Sequence, residues 1–181
     1  MIINNRYTLA ICDGHNASVA LSKNGKVEFA ISEERLTRIK NHFGWPAMSI
    51  DHVNKNYVNK KDIDEVVLYR EEAADYLAFL LPEHISSNAL KWIWKKSITR
   101  LALRFRKFMN NRFFKGRIAL YYSRKLGIPV EKIKFLNHHR AHAFAAFSEI
   151  DMNDRSWLHF VFDAEGDGDS TSIFKSSNYE M

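Results

Sequence analysis

Cysteine is almost missing from this sequence: Cys12 is the single one. An internal disulfide is thereby excluded, which fits a reducing compartment, and the expected location is the cytoplasm. Cys12 closes an apolar stretch just before Asp13, with no obvious activating base before it. It reads as a packed core thiol rather than a nucleophile. Long apolar runs are missing too. None approaches the roughly 20 residues a membrane-spanning helix needs, and the opening MIINNRYTLAICDG has neither the basic start nor the continuous apolar stretch of a signal peptide. Acidic residues are absent from His84 to Val130, where twelve lysines and arginines fall; the rest of the chain carries 15 basic against 21 acidic residues. The formal net charge of +6 is therefore local to one segment, and nucleic acid is the least favoured partner.

What is present suits a globular protein. The chain has 181 residues, 46% hydrophobic and 27% charged, enough for one domain, or one plus part of another, with a sizeable core. Tyr7 to Cys12 predicts a strand, Val19 to Leu21 a second, and Asn24-Gly25 a tight hairpin turn with positive φ at both central positions. The third strand places Val27, Phe29 and Ile31 on one face. SEERLTRIKNHFGWP follows, too charged for core, then a helix from Ala47 to about Tyr57 and a strand from Glu65 to Tyr69. Leu90, Ile93, Trp94, Ile98, Leu101, Phe105 and Phe108 recur at steps of three or four, an amphipathic helix with a basic opposite face. Gly116 to Leu126 predicts a further helix stopped by LGIP, Lys134 to Leu136 a short strand, and Trp157 to Phe162 another. Interleaved strands and helices predict an α/β fold.

Two segments echo each other. LAICDGHNASVAL and HFVFDAEGDGDSTSIF each run from an apolar strand ending in Asp, through a small polar loop with Gly, into another apolar strand. Such turns expose backbone N–H groups that can cradle an anion, and the Asp can hold a metal.

Between the two echoes stands NHHRAHAFAAF, with three histidines in five positions. On a helix His138 and His142 share a face at the i, i+4 spacing by which two imidazoles meet one metal, while His139 points elsewhere. Read alone, the stretch is equally a crowded helix start in which Asn137 caps and the histidines fill polar positions. A metal needs a third ligand, and Asp163 at the end of the next strand is well placed.

DGHNASVALSKNGKVEFAISEERLTRIKN, then NHHRAHAFAAF, then FVFDAEGDGDSTS resemble, in that order, the N-terminal part of the NodU/CmcH carbamoyltransferase family. The resemblance implies an actin- and hexokinase-like fold (ASKHA) in two similar lobes, shared with the tRNA threonylcarbamoyl-transfer proteins. It implies enzymes that use carbamoyl phosphate and ATP to make a carbamoyl-adenylate in a YrdC-like domain. The carbamoyl group then moves onto a hydroxyl of a sugar or natural-product acceptor. Position by position, His138 and His142 match the metal-binding histidines and Asp163 the acidic ligand after them, for a divalent ion, iron first and otherwise zinc or manganese. His15 matches the loop histidine near the carbamoyl group, a candidate general base. Asp13, Gly14, Asn16 and Ser18 match the loop that would meet phosphate, as do Arg35, Arg38 and Lys40 of the charged segment, with Glu33 or Glu34 to orient them.

Three departures stand out. The family's G-H-D is Gly14-His15-Asn16 here, the expected D-G is Asp163-Ala164, and Asn41 separates Lys40 from His42. The resemblance divides the chain into a first lobe over 1–150, with the basic helical segment 84–130, and the opening hairpin of a second, truncated lobe over 151–181. The remaining lobe and the YrdC-like domain, or another chain supplying them, are the implied partners.

A competing reading makes the chain a catalytically silent fragment that binds an anionic membrane surface or a partner chain through the basic aromatic segment 90–114. That reading predicts flotation with anionic liposomes at low salt. Protein remaining in the soluble fraction there argues against it.

Overall fold

The computed structural model describes residues 5–14, 16–69, 112–147, 156–166 and 169–176, so His15 and the expected helix from Leu90 to Phe108 lie outside the described residues. The chain divides into two compact units, with the boundary between Phe135 and Leu136 and with Tyr69 assigned to the second.

The first unit runs β1 (Tyr7–Cys12), β2 (Ser18–Lys23), β3 (Lys26–Ser32), α1 (Glu34–Thr37), α2 (Ala47–Asn56), β4 (Ile63–Leu68), α3 (Arg112–Leu126) and β5 (Ile133–Phe135). Its sheet has the order β3-β2-β1-β4-β5. β1 pairs antiparallel with β2 and parallel with β4, and β4 pairs parallel with β5. This is the mixed α/β architecture that the interleaved pattern predicts. Strand periodicity explains the core. Leu9 and Ile11 of β1, Val19 and Leu21 of β2, and Val66 and Leu68 of β4 are buried with Ile50 and Val53 of α2 and Ile118, Tyr122 and Leu126 of α3. Each such aliphatic side chain contributes about 1.5–3 kcal/mol on burial, several times what a tight turn supplies. The core thus sets the register, and the turns agree with it.

Asn24 and Gly25 have φ of 52° and 81°, as the dipeptide predicts. The Asn24 side chain accepts from the N–H of Arg6 (2.8 Å), and the Asn24 N–H donates to the Arg6 carbonyl (2.8 Å), pinning the turn to the start of β1. α3 ends at Gly127, whose φ of 68° lets its N–H reach the Ser123 carbonyl at 2.8 Å.

Four expectations change. The register between β2 and β3 shifts between Leu21 and Ser22, where one extra residue, Glu28, enters β3. That bulge turns Val27 to the face opposite Phe29, where it is 72% exposed. Cys12 is half-buried, not packed core. α3 begins at Arg112, ahead of the expected Gly116. The charged segment is also partly core: Glu33 is only 2% exposed. Its carboxylate accepts from the N–H of Met48 (2.9 Å), the N–H of Ser49 (2.8 Å) and the Ser49 hydroxyl (2.6 Å). Those are the free donors of the first turn of α2, which opens after Pro46 with no side-chain cap of its own.

The second unit contains α4 (His138–Phe147), β6 (Trp157–Gly166) and β7 (Asp169–Ser176). β6 and β7 form an antiparallel hairpin and α4 packs on both strands. His159, Val161 and Ser176 are buried, whereas Leu158, Phe160, Phe162 and Ile173 are exposed. No helix among the described residues is long and apolar enough to cross a membrane.

Replacing Glu33 by alanine should remove the anion from the N-terminus of α2 and lower unfolding free energy by on the order of 2 kcal/mol. Denaturant titration followed by circular dichroism measures this, and an unchanged midpoint would contradict the anchoring role.

Candidate functional site

The sequence-derived site residues fall in two groups, one in each unit. In the first unit Asp13 and Gly14 leave the C-terminal end of β1, and the charged segment is laced onto that loop by backbone bonds. The N–H of Ala17 donates to the His42 carbonyl (2.9 Å), that of Gly44 to the Gly14 carbonyl (3.0 Å), and that of Glu33 to the Ala17 carbonyl (2.8 Å). Two stretches that resemble family motifs therefore form one loop layer. Asn16 has φ of 57°, a left-handed conformation that Asn tolerates better than most residues. Arg38 and Asn41 are also left-handed, at 60° and 55°, and the Glu34 carboxylate accepts from the Asn41 N–H at 2.9 Å.

Arg35, Arg38 and Lys40 are exposed. Arg35 lies 3.9 Å from the Glu34 carboxylate, at the outer limit of an ion pair and screened by water. Their charge is thus available to an anionic ligand. Ser18 is half-buried at the start of β2. Asp13 and Gly14 are buried. Asp13 is 5% exposed and accepts a hydrogen bond from the hydroxyl of Tyr122, itself 2% exposed and 109 residues away. The Tyr122 ring packs on Trp45 at 5.7 Å, and the ammonium of Lys125 lies 4.4 Å from the Trp45 ring centroid. α3 thus braces the loop layer from the core side.

In the second unit Asn137 caps α4. Its side chain accepts from the Arg140 N–H at 3.0 Å and its carbonyl from the Ala141 N–H at 2.9 Å. The cap and the ligand pair coexist, because helical pitch gives α4 two stripes. His139 and Ala143 form the buried one. His138 and His142 form the other, and their Nε2 atoms stand 3.1 Å apart. Oδ2 of Asp163 lies 2.6 Å from the first and 3.5 Å from the second. Asp163 is not at the end of its strand as expected. β6 continues to Gly166, and the pairing register slips between Phe162 and Gly166, where Asp163 sits. Ala164 also falls inside β6.

These donors suit a divalent cation. His138, His142 and Asp163 each offer one ligand atom, and all lie within 4.8 Å of one another. Around zinc or iron at about 2.0–2.2 Å, neighbouring donors stand about 2.9–3.5 Å apart. The 3.1 and 3.5 Å separations fit; the 2.6 Å one is a hydrogen bond that must open by roughly half an ångström. Two imidazoles and one carboxylate leave coordination positions free for oxygen ligands. His142 is 56% exposed at its side chain against 18% for His138, so solvent reaches the site from the His142 side.

Sequence reasoning missed Tyr122 and Tyr69, whose ring lies 5.5 Å from that of His138. No local pattern marks either: each acts across a long sequence separation, and only a fold brings the partners together.

Comparison with known proteins gives a match to the family model described as carbamoyltransferase N-terminus over residues 9–181. A protein of Methanocaldococcus jannaschii, Uncharacterized protein MJ1051, is 50% identical over 58 residues, which is 32% of this chain and 10% of that protein. Uncharacterized protein sll1178 of Synechocystis is 24% identical over 178 residues, 92% of this chain and 26% of that protein. The chain thus spans about a quarter or less of the length of these relatives.

Tyr122→Phe removes one donor from a buried carboxylate and should lower stability by about 1–3 kcal/mol. Guanidinium titration checks it, and a shift within error of zero would show that the hydroxyl does not hold Asp13.

Proposed function

The chain belongs to the carbamoyltransferase N-terminus family, and from that premise we propose that it is the metal-holding N-terminal part of an O-carbamoyltransferase of the NodU/CmcH kind. One observation carries the proposal: two imidazoles from one helical turn and a carboxylate from a strand converge on one point. The sheet order β3-β2-β1-β4-β5, with three antiparallel strands followed by two parallel ones, supports an actin- and hexokinase-like lobe. In this reading the first lobe covers 1–150 and the second opens at 151–181.

The co-substrates are carbamoyl phosphate and ATP, and the carbamoyl group passes through carbamoyl-adenylate to a hydroxyl of a sugar or natural-product acceptor. His138, His142 and Asp163 hold the divalent ion, iron in the first instance and otherwise zinc or manganese. When bound, the ion supplies a positive centre for phosphate or carbamoyl oxygens. The exposed Arg35, Arg38 and Lys40 meet the phosphate charge, and Gly14, Asn16 and Ser18 shape the loop beside them. Asp13, held by Tyr122, fixes where that loop leaves β1. His15 takes the proton of the acceptor hydroxyl as its oxygen bonds to the carbamoyl carbon, and the bond from that carbon to the adenylate phosphate oxygen breaks, releasing AMP.

A partner surface has its own support. Leu158, Phe160, Phe162 and Ile173 are 56–75% exposed on one side of a two-stranded hairpin. Such a ribbon gains stability when covered, consistent with a further polypeptide layer from the rest of the lobe, the YrdC-like domain or another chain.

Metal analysis after purification should find about one divalent ion per chain, lost in His142→Ala with the thermal unfolding of the apoprotein little changed. Metal-free wild-type protein that takes up no iron, zinc or manganese would end the metal reading.

A further inference from the structure

The two histidine ligands are held very differently. His142 stands mostly in solvent, while the His138 side chain is 18% exposed and ringed by aromatic planes. His142 lies 4.7 Å from it, edge-on at 72°; His139 lies 5.8 Å away at 55°; Tyr69 lies 5.5 Å away at 52°. Two of these three rings belong to α4 itself. Tyr69 directly follows β4 in the chain and, among the described residues, brings a ring to His138 from another part of the sequence. It belongs to the same compact unit as the metal ligands.

We propose that Tyr69 is a positioning residue of the metal centre, packing its ring against His138 so that this imidazole is already aimed at the Asp163 carboxylate before an ion arrives. The inference rests on the metal reading above. Its physical basis is entropic. An unsupported imidazole turns about two side-chain torsions, and freezing it on a metal costs affinity unless packing has frozen it first. Groups that orient metal ligands typically change affinity about ten-fold or more when lost. Because the ring face does this work, the phenolic oxygen is dispensable.

Cobalt(II) titration of the full 181-residue chain, followed by its visible absorption and by competition with zinc, gives the test. Tyr69→Met keeps an apolar side chain of similar bulk and loses the ring; Tyr69→Phe keeps the ring and loses the hydroxyl. The expected result is about ten-fold weaker cobalt binding for Met and no more than about two-fold for Phe, with similar melting temperatures. Met binding as tightly as wild type overturns the proposal. Phe weakened as far as Met also overturns it, since the hydroxyl would then be the active part. If Met melts much earlier, Tyr69→Leu replaces it under the same criteria. Wild-type protein that binds no cobalt or zinc fails at the metal reading itself, and that outcome is visible before any variant is made.

Discussion

A buried carboxylate, Glu33, ties the loop layer of the first unit together. Glu33 sits where β3 gives way to α1, and its oxygens take the donors at the first turn of α2. Its own N–H is bonded to Ala17. One residue therefore joins the loop after β1, the end of β3 and the start of the next helix. A helix N-terminus carries partial positive charge and unpaired N–H groups, and a carboxylate buried there is neutralised and satisfied at once. That lets a charged segment lie against the core while Arg35, Arg38 and Lys40 point into water.

The second unit applies helical pitch to a similar end. Residues four apart on α4 line up, and two neighbouring stripes take separate tasks. One stripe, His139 and Ala143, packs inward, and the other, His138 and His142, meets Asp163. The buried stripe seats the helix that carries the ligand pair. The irregular register of β6 near Asp163 brings the carboxylate to the same place without ending the strand.

Much of this was legible in the chain. Asn24-Gly25 announced its turn, Asn137 its cap, Gly127 its helix end, and the histidine pair its common face, because each depends on residues close in sequence. What escaped depends on long-range packing. Glu33 reads as one more surface charge until α2 is placed against it. Asp13 gives no sign in the sequence that Tyr122, far along the chain, bonds to it. The strand through Asp163 looks finished at Phe162 because the polar residues after it resemble a loop. Val27 illustrates the opposite case: strict alternation puts it with Phe29, and one inserted residue reverses it.

That inserted residue also bears on how the sheet ends. Among the described residues β3 is a border strand, and a border strand's rim of backbone groups can recruit a foreign strand. The kink at Glu28 bends this rim and breaks its regular spacing, and Lys26 puts a charge beside it. Both features discourage lateral sheet growth. The rim is thereby guarded against runaway self-association, even though Val27 faces solvent there.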